Sequence, residues 1–424
     1  MNYTENVIVP ERTLLVSLDT GEYDAEESLR ELWELAKSGG AEPIATMMQK
    51  RPSPETATCV GSGMVEEIRN FCENNEIELI IFDRELTPTQ IRNFENATDV
   101  RVVDRTMLIL DIFAQRAQSR AGKVQVEAAQ LKYLLPRLTG KGTALSRLGG
   151  GIGTRGPGET KLETDRRHIR RRIEALREQL KKIEVGRHET QRRREKDGTV
   201  TVALVGYTNA GKSTLMNLLT QAGVLAEDKL FATLDPTARA LKLPGGKTVM
   251  LIDTVGLVRR LPHHLVEAFR STLEQAATAD IILNVCDASS PEARTHLDVT
   301  NEILQSLGCG DRPVIPVLNK WDLVGDADSA LHLTGAVRIS ALKNEGIPAL
   351  LQAIEDNLPV KPVDVTALLP FAKTGIAAQL RKAGALVSEE YVAEGLLIHA
   401  RVEPREMALI KPYIVENNSE NENV

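Results

Sequence analysis

The sequence has few cysteines, and none is paired at a spacing that suits metal binding or redox chemistry. The four are Cys59, Cys72, Cys286 and Cys309. Isolated thiols of this kind behave as small apolar residues in a reducing compartment. The pattern argues against a disulfide-stabilised secreted domain.

The sequence also lacks a long apolar run, a signal-like N-terminus and a high aromatic content. No apolar stretch approaches the ~18 residues needed to span a bilayer, and residues 1–10 are polar. Aromatic residues make up only 4% of the chain, which argues against a lectin-like or aromatic-cage binder. We expect a cytoplasmic protein without a membrane span.

The length and composition are those of a globular protein with several domains. The chain has 424 residues, of which 42% are hydrophobic and 26% charged, and this length corresponds to roughly three domains. The net charge of −7 is unevenly distributed. Overall acidity therefore does not exclude a nucleic-acid partner.

A glycine-rich segment lies between an apolar run, Val200–Val205, and a helical pattern, Thr214–Leu219. It matches GxxxxGKS and consists of Gly206, Tyr207, Thr208, Asn209, Ala210, Gly211, Lys212 and Ser213. Strand, loop and helix in this order form the context of a phosphate-binding loop. The loop N–H groups and the helix N-terminus would contact the phosphates. Lys212 would supply positive charge, and Ser213 a ligand for Mg²⁺.

Two further segments would sense the γ-phosphate. The run Leu251–Gly256 ends in DxxG, where Asp253 would hold Mg²⁺ through a water and the Gly256 amide would contact the phosphate. The earlier segment would bring Thr233 to the metal when a triphosphate is present. The candidate residues of these two segments are Phe231, Ala232, Thr233, Leu234, Asp235, Asp253, Thr254, Val255 and Gly256.

The motif NKxD follows the apolar run Val314–Leu318 and indicates the base. Asp322 would accept hydrogen bonds from the ring N–H and amino group of guanine, whereas adenine offers no such pair of donors. Asn319 would tie this loop to the phosphate loop, and Lys320 would cover the base. The remaining candidates are Trp321, Ser340, Ala341 and Leu342. Motifs at several strand ends, in this order, favour GTP over ATP.

The position after Gly256 is Leu257, and a leucine cannot orient the attacking water. Many switch GTPases carry a glutamine at this position. We therefore expect slow intrinsic hydrolysis and stimulation by a partner, with Lys212, Thr233 and Gly256 as the catalytic candidates. His263 and His264 are either general bases or plain surface residues.

Strand and helix patterns alternate at the N-terminus, which predicts a small parallel α/β layer over residues 1–104. The predicted strands are 13–18, 44–48, 78–83 and 100–104, and the predicted helices are 25–36 and 65–71. We interpret Gly61–Gly63 as a plain turn, because the third glycine of a dinucleotide fingerprint is missing.

Residues 105–197 predict a helical hairpin. Its first arm is one helix over Thr106–Leu135 with Asp104 as a candidate cap, and its second begins at Thr160 or Lys161. The tip between them is rich in glycine and positive charge. An apolar seam of coiled-coil spacing follows Leu162, Ile169, Ile173, Leu176, Leu180 and Ile183.

The second arm carries an excess of arginine against an acidic background. Such an excess suits the neutralisation of RNA phosphates, and a solvated face with ion pairs is the alternative. The candidate RNA contacts are Lys141, Arg147, Arg155, Arg166 and Arg170.

The remaining chain predicts a GTPase domain over residues 198–358 and a small α+β domain over 363–415. In the latter, Val365–Leu369 and Gly395–Val402 read as strands and Thr374–Lys382 as a helix. Residues 416–424 are expected to form a disordered tail. The whole fold is thus an α/β fold, in which a doubly wound P-loop GTPase sheet follows a small α/β domain with a helical hairpin.

The chain resembles the HflX family of GTPases over essentially its whole length. The discriminating pieces are the run Arg147–Thr160 and the segment Phe231–Thr237, supported by Leu261–His263, the helix through Glu274 and the apolar Leu257. The resemblance implies binding to rRNA of the large ribosomal subunit in the GTP state, and the splitting or rescue of stalled ribosomes. Some relatives act on ATP through the N-terminal part.

Two other functions remain open at this stage. One is a nucleotide-switched RNA-binding module in which hydrolysis only releases the protein. The other is a GTPase in RNA modification or signalling that does not act on ribosomes. We expect Mg²⁺ as cofactor, GTP as substrate and a monomeric chain.

Overall fold

The computed structural model describes residues 10–138, 161–196, 199–220, 230–231, 237–260, 278–309, 312–325, 333–359, 363–402 and 404–417. The helices in these ranges are α1 (Ala25–Ser38), α2 (Ser62–Asn75), α3 (Pro88–Thr98), α4 (Arg105–Arg116), α5 (Arg120–Leu134), α6 (Lys161–Lys196), α7 (Lys212–Thr220), α8 (Ala293–Ser306), α9 (Ile347–Asp356), α10 (Gly375–Ala383) and α11 (Pro404–Ile410). Among these helices, none combines the length and the apolar character that crossing a membrane demands.

The strands form three sheets. They are β1 (Arg12–Asp19), β2 (Glu42–Lys50), β3 (Leu79–Phe82), β4 (Arg101–Asp104), β5 (Thr201–Gly206), β6 (Thr237–Lys242), β7 (Thr248–Asp253), β8 (Ile281–Asp287), β9 (Val314–Asn319), β10 (Val337–Arg338), β11 (Val363–Leu369), β12 (Leu386–Val392), β13 (Gly395–Val402) and β14 (Ile414–Asn417).

The N-terminal sheet confirms the predicted parallel layer, with strand order β2-β1-β3-β4. Helices α1 and α4 cover one face, and α2 and α3 the other. Sequence patterns missed α3, although Thr87 and Gln90 form a capping box at its start. The interpretation of Gly61–Gly63 as a plain turn was wrong, because Gly61 is the N-cap of α2 and the next two residues begin that helix.

The single helix predicted over Thr106–Leu135 was also wrong. It is two helices, α4 and α5, separated at Ala117–Ser119, where the backbone of Ala117 and Ser119 is extended. The Ser119 side chain accepts a hydrogen bond from the Gly122 N–H at 2.9 Å and so caps α5. The predicted cap at Asp104 is confirmed, since its carboxylate accepts from the Met107 N–H at 2.9 Å.

The hairpin arm is the packing of α5 against α6, which runs for 36 residues. Ile169, Ile173 and Leu176 are buried against α5, and Leu180 is partly buried there. This confirms that part of the predicted seam, whereas the side chain of Leu162 lies outside the described residues. Leu176 is fully buried, so it anchors the middle of the arm.

The central sheet has six strands in the order β10-β9-β8-β5-β7-β6, and only β6 is antiparallel to its neighbour. Alternate residues of the buried strand β5 face opposite sides. Val202 and Leu204 pack with α7 and α9, while Ala203 and Val205 pack with α8. The predicted doubly wound sheet is therefore confirmed, and its loops with functional motifs follow the carboxyl ends of β5, β7, β9 and β10.

The C-terminal sheet is antiparallel with strand order β12-β13-β11-β14. It confirms the predicted α+β character. The tail predicted to begin at Glu416 starts too early, because Glu416 and Asn417 belong to β14 and pair with Thr366 and Val365 of β11. The polar composition of this stretch hid the strand; residues 418–424 lie outside the described part of the chain.

The arm yields a stability prediction. Leu176→Ala removes a fully buried side chain and leaves a cavity between α5 and α6. We expect a loss of about 2–5 kcal/mol in the free energy of unfolding of the arm. Denaturant titration with amide hydrogen exchange of α6 measures it. Arg177→Ala is the control, because the exposed Arg177–Glu174 pair contributes at most about 1 kcal/mol, and equal losses in both variants would contradict the buried seam.

Candidate active site

The phosphate loop joins β5 to α7, and a buried lysine lies within its curve. Lys212 Nζ donates hydrogen bonds to the carbonyl oxygens of Gly206 at 3.0 Å and Tyr207 at 2.8 Å. Gly211 has a φ of +89°, and a Cβ there would collide with the Asn319 amide nitrogen. The glycine at this position is therefore required both by the backbone conformation and by the approach of the neighbouring loop.

A hydroxyl and a carboxylate meet beside this loop. Ser213 Oγ at the start of α7 donates to Asp253 Oδ2 at the end of β7 over 3.0 Å. The Thr254 hydroxyl donates to the Leu204 carbonyl at 2.6 Å and fixes the turn after Asp253. Hard oxygen ligands of this kind suit Mg²⁺, which takes few protein ligands and keeps waters and phosphate oxygens. The described residues contain no cluster of three His, Cys, Asp or Glu side chains that could hold a metal alone.

Asn319 connects the phosphate loop to the base-binding loops. Its amide nitrogen donates to the Ala210 carbonyl at 2.8 Å, and its amide oxygen accepts from the Ala341 N–H at 3.0 Å. Asn319 is buried, so both bonds are protected from water. The predicted tie between the loops is present in the structure.

The base-binding loops enclose a cavity of about 320 Å³. Its lining includes Asn209, Gly211, Thr214, Asn319, Lys320, Asp322, Leu323, Ser340, Ala341 and Leu342. The Ser340 hydroxyl donates to Asp322 and, with Lys343, lowers the pKa of this carboxyl below its usual value. Asp322 is therefore a charged acceptor at neutral pH. Thr214 and Leu323 belong to the same lining, although their residue types gave no functional signal.

Two predicted residues of NKxD make contacts outside the cavity. Lys320 Nζ lies 2.7 Å from Asp287 Oδ2, so its stem is held over the loop by an ion pair. The guanidinium of Arg338 lies 4.5 Å from the centre of the Trp321 ring. Trp321 and Arg338 thus make a cation–π contact that stabilises the loop.

The segment after Asp253 lies against the phosphate loop. The Leu257 N–H donates to the Gly206 carbonyl at 3.1 Å, and the Leu257 carbonyl accepts from the Thr208 N–H at 2.8 Å. A Cβ built on Gly256 would lie 3.2 Å from Lys212 Nζ, so this glycine is close to the lysine. The Leu257 side chain is buried between β5 and α8. It serves as an anchor of the core and cannot assist a water molecule.

The hydroxyl of Tyr207 was not anticipated as a functional group. It accepts a hydrogen bond from the Arg259 N–H at 2.7 Å and contacts Glu31 of α1. Its ring stacks on His296 of α8, with 3.9 Å between the ring centres. Burial and the nearby Arg259 lower the pKa of His296 to about 4, so this imidazole is neutral at pH 7. Glu31 is 176 positions from Tyr207, and no local pattern could have indicated the contact.

A buried arginine extends this contact between the two sheets. Arg105 pairs with Glu31 and, at 3.0 Å, with Asp83 Oδ1. It also donates to the Arg259 carbonyl at 3.2 Å. The second oxygen of Asp83 accepts from Arg260 at 2.7 Å. The N-terminal sheet therefore holds the backbone and side chains that follow DxxG.

Two predicted nucleotide-binding residues direct their side chains into the core below the N-terminal sheet. Phe231 is buried edge-on against Phe113, with 4.6 Å between the ring centres, and Val255 packs in the same cluster. Their side chains consequently do not line the cavity. Ala232, Thr233, Leu234 and Asp235 lie outside the described residues, as do His263 and His264.

The candidate RNA contacts are only partly described. Arg166 donates to the Leu138 carbonyl at 2.9 Å and thereby holds the base of the arm together. Arg170 is exposed on α6. Lys141, Arg147 and Arg155 lie outside the described residues.

The buried lysine generates a pH prediction. Burial lowers the pKa of Lys212 from 10.5 to about 8, although the Asp253 carboxylate opposes this shift. The amine loses its charge above this pH, whereas a bound phosphate would restore it. We expect nucleotide affinity to fall above pH 8 by up to about tenfold per pH unit, with uptake of about half a proton on binding at pH 8.

Titration calorimetry in buffers of different ionisation enthalpy measures this uptake. Lys212→Met is the control, because it has no amine to protonate and its binding should be independent of pH over the same range. Binding to the unaltered chain without proton uptake at pH 8 would show that the lysine is already charged.

The sequence matches three family models along most of its length. Residues 26–114 match a model described as "GTP-binding GTPase N-terminal", and residues 116–194 match "GTP-binding GTPase Middle Region". Residues 201–320 match "50S ribosome-binding GTPase". These matches cover the hairpin arm, the phosphate loop and the chain as far as Lys320.

Relatives of similar length agree with the models. The chain is 50% identical over 392 residues to the GTPase HflX of Caldanaerobacter subterraneus subsp. tengcongensis, covering 92% of this chain and 91% of that one. Identity to the GTPase HflX of Lacrimispora saccharolytica is 48%, covering 93% and 94%. Identity to the GTPase HflX of Escherichia coli K12 is 40%, covering 85% and 86%. This chain therefore belongs to the HflX family of GTPases, enzymes that hydrolyse GTP.

Proposed function

We propose that this GTPase binds the large ribosomal subunit in its GTP state, splits or rescues stalled ribosomes, and leaves after hydrolysis. The observation that carries the proposal is a basic helical arm that precedes, in the chain, a sheet whose loops surround a cavity lined by Asn319, Lys320 and Asp322. Because α6 leads into β5, a change at the nucleotide and a change at the arm act on one continuous piece of chain. The match to the 50S ribosome-binding model supports the same partner.

Within the site, each role follows from the contacts around it. The loop Gly206–Ser213 and the N-terminus of α7 would bind the β- and γ-phosphates. Lys212 would neutralise developing negative charge, and the Gly256 amide would contact the γ-phosphate. Asp322 would select guanine, while Lys320 would cover the base.

Ser213 would bind Mg²⁺ through its hydroxyl and Asp253 would hold the ion through a water, with Thr233 as the proposed third residue. When bound, the ion would neutralise charge on the β- and γ-phosphate oxygens. The protein groups would hold the triphosphate in position for attack by water. The Ser213 hydroxyl donates to Asp253 Oδ2 at 3.0 Å, so the two oxygens proposed to hold the ion lie close together beside the phosphate loop.

The buried side chain of Leu257 explains why we propose a partner-stimulated enzyme. A water-orienting group is absent at this position, since the leucine packs into the core. A ribosome that supplies or positions such a group would raise the rate by completing the site.

The base-binding loops yield a specificity prediction. Asp322→Asn replaces a charged acceptor with a group that cannot accept both guanine donors, and we expect GDP affinity to fall at least about tenfold, with weak ADP binding unchanged. Titration calorimetry measures both. Lys343→Gln is the control; Lys343 Nζ lies 3.5 Å from Asp322 on an exposed side chain, and we expect a change of less than about twofold. An unaltered preference in Asp322→Asn would place guanine selection elsewhere.

Co-sedimentation with purified 50S subunits tests the ribosomal role. We expect more protein in the 50S pellet with a non-hydrolysable GTP analogue than with GDP, and faster GTP hydrolysis when 50S subunits are present. Equal pelleting in both nucleotide states, or no rise in turnover, would contradict the proposal. A GTPase that acts in RNA modification without ribosomes would show no rise in turnover when 50S subunits are present.

Charge reversal on α6, measured in the same co-sedimentation assay, tests whether the arm contacts the 50S subunit. Arg170 and Arg171 are exposed on α6, and the double change to Glu should weaken 50S binding and reduce the slope of log affinity against log salt by about 0.7–0.9 per lost phosphate contact. Arg30→Glu on α1 is the matched control, because Arg30 is an exposed helical arginine outside the arm. Equal effects of both variants would indicate a general charge effect instead of contact by the arm.

A further inference from the structure

The hairpin formed by β6 and β7 connects the two segments predicted to sense the γ-phosphate. β6 begins at Thr237, at the end of the segment that contains Thr233, and β7 ends at Asp253. Thr237 and Asp253 lie directly opposite each other in the antiparallel register. The far end of the hairpin is the turn Leu243–Lys247, about 20 Å along the strands from the phosphate end.

This turn, which we call the hairpin tip, is packed against the last helix of the central sheet. The Leu243 N–H donates to the Lys247 carbonyl at 2.8 Å and closes the turn. The Gly245 N–H donates to Glu355 Oε2 on α9 at 3.1 Å. β6 is the edge strand of its sheet and pairs only with β7 among the described strands. β6 can therefore shift along its length more easily than the central strands, whereas β7 is held between β6 and β5.

The tip also touches the C-terminal sheet at two places. The first is Arg401 of β13, because a Cβ on Gly245 would lie 2.9 Å from its guanidinium. That guanidinium also lies 3.9 Å from Glu355 Oε1 of α9 and bonds with Asp364 of β11 at 3.0 and 3.2 Å. A Cβ on Gly246 would lie 3.1 Å from the Gly384 carbonyl, so the two backbones are in direct contact. Gly384 caps α10, and the next residue, Ala385, accepts from the Arg401 N–H at 2.8 Å.

We propose that the C-terminal sheet reads the nucleotide state through the hairpin tip. A shift of Thr237 toward the γ-phosphate would pull β6 along β7, and the tip at the far end of β6 contacts Glu355, Arg401 and Gly384. The C-terminal sheet would consequently have one position in the GTP state and another in the GDP state. The proposal rests on the nucleotide contacts proposed above, but it does not depend on ribosome binding.

Gly245→Ala separates this contact from the nucleotide site. A Cβ there would collide with the Glu355 carboxylate and lie 2.9 Å from Arg401, so it would displace both side chains from the tip without a change in charge. The matched control is Gly375→Ala at the start of α10, where an added Cβ meets nothing within 4 Å. Glu355→Gln is a second variant, because it keeps an oxygen for the Gly245 N–H but loses the attraction to Arg401.

Amide hydrogen exchange of the full chain, saturated with GDP or with a non-hydrolysable GTP analogue, tests the proposal. We expect Ala385–Val402 to exchange at different rates in the two states, and Gly245→Ala to abolish that difference while β6 and β7 still respond. Gly375→Ala should preserve both responses. Identical exchange of Ala385–Val402 in the two states, or a difference that survives in Gly245→Ala, would overturn the proposal.

The reciprocal measurement is the ratio of GDP to GTP-analogue affinity. Because coupling between two sites acts equally in both directions, Gly245→Ala and Glu355→Gln should change this ratio by at least about twofold. A ratio unchanged in both variants would show that the tip contact carries no coupling. Ribosome co-sedimentation of the same samples tests the proposed function separately. A chain can lose the coupling at the hairpin tip and still bind the ribosome, or lose ribosome binding and keep the coupling.

Discussion

Arg105 is the residue on which the contact between the N-terminal part and the central sheet depends. Its guanidinium is buried and bonds with two carboxylates of the N-terminal part and with the Arg259 carbonyl. A buried charge is tolerated only when its partners surround it. The Arg259 carbonyl, in the chain that follows DxxG, is a third acceptor for this cation, and Tyr207 adds the phosphate loop to the same cluster. Fold and site are stabilised by one set of polar contacts.

The nucleotide site itself uses little specialised chemistry. The groups proposed for it are backbone amides, the lysines Lys212 and Lys320, the hydroxyls of Ser213 and Thr233, and the carboxylates of Asp253 and Asp322. Asn319 holds the two halves together through a single side-chain amide. The positions of these loops are fixed by buried hydrogen bonds between them, because each loop alone has too few contacts to hold one shape.

Much of this could be predicted from sequence because its causes are local. The β5 apolar run, the glycine spacing and the NKxD motif each express a constraint within a few residues. The break at Ala117–Ser119 was missed because apolar periodicity continues across it, and the cap at Ser119 is a weaker signal. The contact of Tyr207 with Glu31 was missed for another reason: both residues are ordinary at their own positions, and only the packing of two sheets brings them together.

The Trp321 ring beneath Arg338 has a practical consequence. The chain contains two tryptophans, and the other, Trp33, packs at the N-terminal core. Trp321 lies between Lys320 and Asp322, so it is one residue from the carboxylate proposed to select the base. Its indole emission is sensitive to a neighbouring cation and to stacking, which makes this loop an intrinsic optical probe. Occupancy of the pocket can thus be followed in the unlabelled protein.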